Sequence, residues 1–207
     1  MKRRVEVKIC GLTNLEDARA ALDLGADYLG FVLFPKSPRC ITVSSLAAIL
    51  DKLPGYFRAV GVFVNEPRGI VESVVATCGL YAAQLHGDEQ PGDFKGMPTP
   101  VWRAVWRRDG KWTPAPAGWH VDRYVVDAAP QGVYGGAGIS ADWKCAATLA
   151  KQHRILLAGG LTPDNVAKAI KVVNPAGVDV VSGVEAKPGK KNLKKLEAFI
   201  RKARSNE

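Results

Sequence analysis

Eight short apolar runs, each about 25 residues from the next, constrain the fold of this chain most strongly. They span residues 5–9, 28–34, 58–64, 80–85, 101–105, 123–127, 154–158 and 177–182. Several are apolar at nearly every position, as expected of strands covered on both faces. Segments of helical period separate them. The alternation predicts an α/β fold, a single-domain (βα)8 TIM barrel that occupies residues 1–207.

An open, doubly wound sheet is the alternative architecture. No GxGxxG or Walker pattern follows any of the apolar runs, which argues against a nucleotide-binding sheet of that kind. One segment fits neither a strand nor a helix well. Residues 107–122 are rich in proline and glycine and have poor periodicity, so we expect a loop there with at most a short helix.

Capping signals indicate where several helices begin. Thr13 and Glu16 have the spacing of a capping box, which predicts that the first helix starts there. Ser44 or Ser45 is the expected cap of the second helix. Thr162, followed by a proline, is the expected cap of the helix after the seventh strand.

The formal net charge of +9 indicates a preference for anions, such as nucleic acid, an acidic membrane or a phosphorylated metabolite. Much of the positive charge lies in residues 187–207, where it is typical of a solvated helix face. No aromatic residues alternate with these lysines, so we expect no nucleic-acid partner. We also expect no membrane partner, because no apolar run approaches the length of a membrane span.

The basic start of the chain has no apolar stretch typical of a signal peptide. The four cysteines are widely spaced and form no CxxC motif, which favours reduced thiols in a cytoplasmic protein. His86, His120 and His153 lack metal-ligand spacing, so we expect no metal site. The sequence leaves the choice between a monomer and a homodimer open.

In a barrel of this type, functional groups gather at the carboxyl ends of the strands. Cys10 and Asp127 each follow such an end. Lone cysteines are commonly buried and inert, and an aspartate there can simply cap a loop. Beside the amino terminus of the first helix, however, the Cys10 thiolate is favoured, and in a partly dry mouth Asp127 favours its neutral form. A base and an acid of this kind suit proton transfer on a sugar phosphate.

Two glycine-rich turns follow the last two strands, where this fold usually binds phosphate. Gly159 and Gly160 precede a helix, and Ser182 and Gly183 end the final strand; glycines let backbone amides approach a phosphate, although they can also only form tight turns.

Arg39 and His86 complete the set of candidate residues. Arg39 lies in a proline-rich loop, where it is either solvated or suited to hold a substrate carboxylate. His86 is either a residue at the edge of the core or a polar contact to the substrate.

Seven segments together resemble the phosphoribosylanthranilate isomerase family of tryptophan biosynthesis: VKICGLTNLEDA, LGFVLFPKSPRCI, GVFVN, AQLHGDE, VVDA followed by GGAG, LLAGGLTPDNV and GVDVVSGVE. The resemblance runs from residue 7 to about residue 195 in the family's order. It implies a cofactor-free Amadori rearrangement of N-(5-phosphoribosyl)anthranilate to 1-(2-carboxyphenylamino)-1-deoxyribulose 5-phosphate. The chain departs from the family's commoner pattern at GGAG (135–138) and at Val181, which affects loop closure rather than the reaction class.

The resemblance also implies roles for the candidate residues. Cys10 is then the general base, Asp127 the general acid, and Arg39 the group that holds the anthranilate carboxylate. His86 is a substrate contact, and the two glycine turns bind the phosphate. The nearest alternative is a related sugar-phosphate isomerase or epimerase on the same barrel, and one form of it would also accept the analogous histidine-pathway aminoaldose. A basic nucleic-acid-binding module is a more distant alternative.

Overall fold

The computed structural model describes residues 4–128 and 141–205. Strands and helices alternate along most of the chain. The first half contains β1 (Glu6–Ile9), α1 (Leu15–Asp23), β2 (Tyr28–Val32), α2 (Val43–Asp51), β3 (Ala59–Phe63), α3 (Arg68–Cys78), β4 (Ala82–Leu85) and a 3₁₀ turn (Pro91–Phe94). The second half contains β5 (Val101–Arg108), β6 (Lys111–Thr113), β7 (Arg123–Val126), α4 (Trp143–Ala150), β8 (Ile155–Leu157), α5 (Val166–Val173), β9 (Gly177–Val180), a second 3₁₀ turn (Ser182–Val184), β10 (Glu185–Lys187), β11 (Lys190–Lys191) and α6 (Leu193–Arg204).

Eight of these strands form a closed parallel barrel. Their order is β1, β2, β3, β4, β5, β7, β8 and β9, and β9 pairs in parallel with β1 to close the ring. The outward-facing side chains of the strands, such as Val7 and Ile9 of β1, form one large hydrophobic core with the apolar faces of the helices. The helices therefore pack on the outside of the barrel. The predicted (βα)8 fold is therefore confirmed.

Alternate residues of each strand face the barrel interior, as the period of two requires. A cluster of buried side chains that includes Tyr28, Val60, Trp102 and Leu156 fills the inside of the ring. On β1, Lys8 pairs in register with Tyr28 and therefore points inward as well. The same alternation places the side chain of Cys10 on the inner face, one pleat nearer the carboxyl end of the strands.

The predicted loop over residues 107–122 is wrong in its first part. Strand β5 continues to Arg108, and β6 returns antiparallel to it, with Trp106 opposite Thr113. Asp109 and Gly110 join the two strands with φ of 49° and 73°, the positive values that a tight hairpin turn requires. The hairpin therefore rests on an Asp-Gly turn, a recognised signal that the proline-rich composition obscured.

Three predicted helix caps also differ from the structure. Asn14 rather than Thr13 caps α1, and Thr42 rather than a serine caps α2. Helix α5 begins at Val166, later than the cap expected at Thr162. The hydroxyl of Thr13 donates instead to the carbonyl of Gly189, 2.5 Å away, and so ties the start of α1 to the turn between β10 and β11. The GGAG segment at 135–138 lies outside the described residues.

Candidate active site

The carboxyl ends of the barrel strands bring four candidate groups to one mouth. Cys10 follows β1, His86 follows β4 and Asp127 follows β7, while the loops after β8 and β9 carry the predicted phosphate turns. Because all eight strands are parallel, these ends lie on the same side of the molecule. The sites predicted from separate parts of the sequence thus belong to a single region.

Cys10 lies at the inner wall of this mouth and is nearly buried, with 4% of its surface exposed. Its amide donates to the carbonyl of Val180, 2.9 Å away, which fixes the end of β1 against β9. Gly30 on the neighbouring strand makes room for the thiol, since a methyl group there would lie 2.7 Å from Sγ.

Burial raises the pKa of the Cys10 thiol, and Asp179 adds to this rise, while Lys8 and Lys191 oppose it. We expected the amino terminus of α1 to favour the thiolate, but the helix begins only at Leu15 and the net change in pKa has the opposite sign. In the unliganded protein, the thiol form is therefore favoured more than in a free cysteine.

A buried ion pair that the sequence analysis missed lies next to Cys10. Lys8 Nζ is 3.0 Å from Asp179 Oδ2, and the exposed fractions of the two side chains are 0% and 4%. Burial raises the pKa of Asp179, Lys8 lowers it, and Asp127 raises it again. The pair thus interacts electrostatically with Cys10 on one side and with Asp127 on the other. A charged residue at an inward position of an apolar strand was the available signal, because burying a charge requires a partner.

Asp127 forms part of a short polar chain on the opposite wall. Its Oδ1 accepts from the amide of Ala128 at 2.7 Å, and its Oδ2 is 3.5 Å from His86 Nε2. The amide nitrogen of Gln84 lies 3.0 Å from His86 Nδ1. With Gln84 as the donor, the ring proton of His86 resides on Nε2 and faces the carboxylate. His86 therefore lies beside the predicted acid, at a distance slightly longer than that of a normal hydrogen bond.

The loops after β8 and β9 pack directly against one another. Gly159 and Gly160 adopt φ of 73° and 65°, values that residues with side chains rarely take. A methyl group at Gly183 would overlap the carbonyl oxygen of Leu161, so only glycine allows this approach. Asn165, just before α5, donates from Nδ2 to the carbonyl of Gly160 at 2.9 Å. These contacts explain the glycines by the close packing of the two loops, and phosphate binding by their backbone amides stays a prediction.

Arg39, in the loop after β2, does not extend freely into solvent. Its Nε and Nη2 donate to the two carboxylate oxygens of Glu185 at 2.8 and 2.7 Å. Its aliphatic stem lies over Gly11, where a methyl group would be 2.8 Å from Cδ. The arginine is thus a held group beside Cys10, and Glu185 is a second residue that sequence reasoning missed.

Within residues 4–128 and 141–205, no group of three or more His, Cys, Asp or Glu side chains is arranged to hold a metal ion. None of the helices in these ranges is both long enough and apolar enough to cross a membrane.

Comparisons with known proteins support the same fold and identify a family. Residues 7–202 match the family described as N-(5′-phosphoribosyl)anthranilate (PRA) isomerase. The N-(5′-phosphoribosyl)anthranilate isomerase of Pelobacter propionicus is 46% identical over 200 residues, which cover 97% of this chain and 96% of the relative.

Two solved structures extend the comparison to three dimensions. Monomers of the dimeric phosphoribosylanthranilate isomerase from Thermotoga maritima superpose with a TM-score of 0.82 at 36% identity, covering 97% of this chain and 99% of theirs. A phosphoribosylanthranilate isomerase in complex with reduced 1-(o-carboxyphenylamino)-1-deoxyribulose 5-phosphate gives a TM-score of 0.82 at 35% identity, covering 97% and 99% of the two chains. The chain therefore belongs to the N-(5′-phosphoribosyl)anthranilate isomerase family.

Proposed function

We propose that this chain converts N-(5-phospho-β-D-ribosyl)anthranilate to 1-(2-carboxyphenylamino)-1-deoxy-D-ribulose 5-phosphate, with Cys10 as general base and Asp127 as general acid. Family membership makes it an isomerase of the aldose–ketose type that acts in tryptophan biosynthesis. The observation that carries the residue assignment is geometric: Cys10 follows β1 and Asp127 follows β7 at the same mouth of a closed parallel barrel, beside the buried Lys8–Asp179 pair.

The reaction begins with the acid. Asp127 donates a proton to the ring oxygen of the ribose, and the ring opens to an iminium between C1′ and the anthranilate nitrogen. His86 Nε2, 3.5 Å from Asp127 Oδ2, is placed to orient the carboxyl group and to exchange protons with it. We therefore assign His86 to the acid as well as to substrate binding.

The base acts on the opened chain. The iminium acidifies the C2′–H bond, and the Cys10 thiolate removes that proton to give an enolamine. The enolamine takes up at C1′ the proton that Cys10 holds, and its 2′-hydroxyl returns a proton to Asp127, which gives the aminoketone product. All protons return in the course of one turnover, and the electrons stay within the substrate, so the proposed cycle needs no redox cofactor. The absence of a metal stays a prediction.

Two anchors hold the ends of the substrate. The phosphate is bound by backbone amides and one serine hydroxyl in the two glycine turns, which contain Gly159, Gly160, Ser182 and Gly183. The anthranilate carboxylate is bound by Arg39. The anchors fix the reacting carbons between Cys10 and Asp127. Because both ends are fixed, the substrate loses its freedom to move relative to the acid and the base before reaction, and this accounts for much of the rate acceleration.

Loss of the substrate's fluorescence tests the proposal directly. We expect wild-type protein to consume phosphoribosylanthranilate, and we expect Cys10→Ala and Asp127→Asn to lower kcat by roughly 10²- to 10⁴-fold with folding retained. Cys78→Ala removes another partly buried thiol, on the outer helix α3, and should leave kcat unchanged. Near-normal turnover by Cys10→Ala would refute the assignment of the base.

For the assembly, we propose a monomer or a homodimer that works in the cytoplasm without nucleic-acid or membrane partners. The dimeric Thermotoga maritima relative supports the second form. Light scattering on purified protein distinguishes one form from the other, and an electrophoretic shift assay at low salt tests for nucleic-acid binding.

A further inference from the structure

Glu185 is the centre of a buried charge cluster at the edge of the mouth. Its carboxylate accepts from Arg39, from the amide of Gly189 at 3.2 Å, and from Lys191 Nζ at 3.4 Å. The Glu185 and Lys191 side chains are 5% and 0% exposed. Four donors thus converge on one carboxylate that the reaction described above does not use.

The contact with Arg39 uses one particular edge of the guanidinium. Arginine carries five N–H groups in a fixed plane, and they form two forks suited to a carboxylate. Glu185 occupies the fork made by Nε and Nη2. The other fork, made by Nη1 and the second hydrogen of Nη2, has no partner among the described residues. No group within residues 4–128 and 141–205 therefore competes with a second carboxylate for this fork.

The cluster also keeps a positive charge at this position. Burial alone raises the pKa of Glu185. The opposing effects of Arg39, Lys191 and the Gly189 amide are together larger, so the pKa lies below its usual value and the carboxyl group is ionised. Burial lowers the pKa of Lys191, and Glu185 opposes this decrease. The Arg39 guanidinium stays charged and balances Glu185, so a protonated Lys191 gives the cluster a net positive charge that attracts an anion. Glu185 thus orients Arg39 without cancelling the charge of the site.

Lys191 connects the same cluster to the base. Its ammonium group donates to the carbonyl of Cys10 at 2.6 Å and to that of Val181 at 3.2 Å. These carbonyls follow β1 and β9, so one side chain ties two strand ends to the carboxylate that holds Arg39. The distance between the clamp and the thiol is thereby restricted.

We infer that Glu185, supported by Lys191, is the positioning residue that aims the free fork of Arg39 at the anthranilate carboxylate. The inference rests on the proposed function, because it deepens the role of Arg39 in the same site. It differs from a purely structural ion pair in one respect: removing Glu185 should weaken recognition of the carboxylate and leave recognition of the phosphoribosyl part intact.

Binding of two ligands that differ in a single group makes that distinction. One is reduced 1-(o-carboxyphenylamino)-1-deoxyribulose 5-phosphate, and the other is the same compound without its carboxyl group. For Glu185→Ala we expect Kd for the first to rise roughly 10- to 100-fold, the scale of a charged hydrogen bond, and Kd for the second to change less than twofold. Glu185→Gln, which keeps one acceptor and the side-chain shape, should show a smaller rise in the same direction, and KM should rise more than kcat falls.

Glu6→Gln is the matched control. Glu6 also lies between two cations, Arg123 and Arg154, but at the amino end of the barrel. Glu6→Gln should lower the stability of the protein about as much as Glu185→Gln does, and it should leave the Kd values for both ligands unchanged. Equal losses for the two ligands in Glu185→Gln, or no loss for either, would overturn the inference. Failure of the wild type to bind the first ligand or to turn over substrate would instead refute the proposed function.

Discussion

Gly30 provides a test of the base that removes no proposed catalytic atom and instead displaces the Cys10 sulfur. It lies on β2, beside the end of β1, and a methyl group on its Cα would sit 2.7 Å from Cys10 Sγ and 3.0 Å from Cys10 Cα. Its backbone conformation does not require glycine, because its φ is not among the positive values. The three heavy atoms nearest to that methyl group all belong to Cys10, so Gly30→Ala acts first through a steric contact with Cys10.

The size of the effect follows from the contact distance. Ordinary contacts of a methyl group begin near 3.4 Å, so the sulfur must retreat by about 0.7 Å. A misplacement of about 1 Å can cost about 10²-fold in rate. We expect kcat to fall roughly 10- to 100-fold, while KM changes little because the phosphate and carboxylate anchors are untouched. Overpacking should also cost about 1–3 kcal/mol of stability.

Gly61→Ala separates the loss of stability from the loss of alignment. Gly61 lies on β3, and a methyl group there would meet the side chains of Leu80 and Phe63, both at 2.8 Å, in the layer under the helices. Thermal melts of the two variants should show similar destabilisation, and the fluorescence assay at 25 °C should show loss of kcat only for Gly30→Ala. The alignment argument fails if Gly30→Ala turns over substrate at the wild-type rate, or if both variants lose kcat equally.

Two further perturbations address the charge beside the thiol and the phosphate cradle. Lys8 lowers the pKa of the Cys10 thiol. In Lys8→Met, the rise of kcat/KM with increasing pH, which reports ionisation of the base, should therefore move to higher pH. An unchanged pH profile would show that Lys8 has no influence on the base. A methyl group at Gly183 would overlap the carbonyl of Leu161, so Gly183→Ala should raise KM and weaken inhibition by inorganic phosphate at least tenfold. Gly92→Ala, where a methyl group meets nothing within 4 Å, should leave both values unchanged.

The strands were predictable because their signal is local. A strand buried on both faces must be apolar at consecutive positions, and the eight runs show this directly. Helix caps were less predictable for the opposite reason. Thr42, Ser44 and Ser45 all offer a hydroxyl within one turn, and only the path of the backbone selects Thr42, whose Oγ1 accepts from the amide of Ser45 at 3.1 Å.

The partners of the candidate site residues could not be predicted from local pattern. Arg39 and Glu185 are 146 residues apart, and Lys8 and Asp179 are 171 apart. Nothing in the flanking sequence of either member identifies the other, because barrel closure alone brings β9 beside β1. Local reasoning could identify which residue types lie at strand ends, but the ion pairs that orient them depend on the register of the closed ring.

The raised pKa of Cys10 constrains the order of the proton transfers. Burial disfavours the thiolate in the unliganded site, and Lys8 and Lys191 offset this only in part. A further cation close to the sulfur lowers its pKa again. Opening of the ribose ring creates such a cation, the iminium, next to the carbon that loses its proton. In the proposed mechanism the thiolate is therefore stabilised once Asp127 has given up its proton, and we expect proton donation to the ring oxygen to precede removal of the C2′ proton.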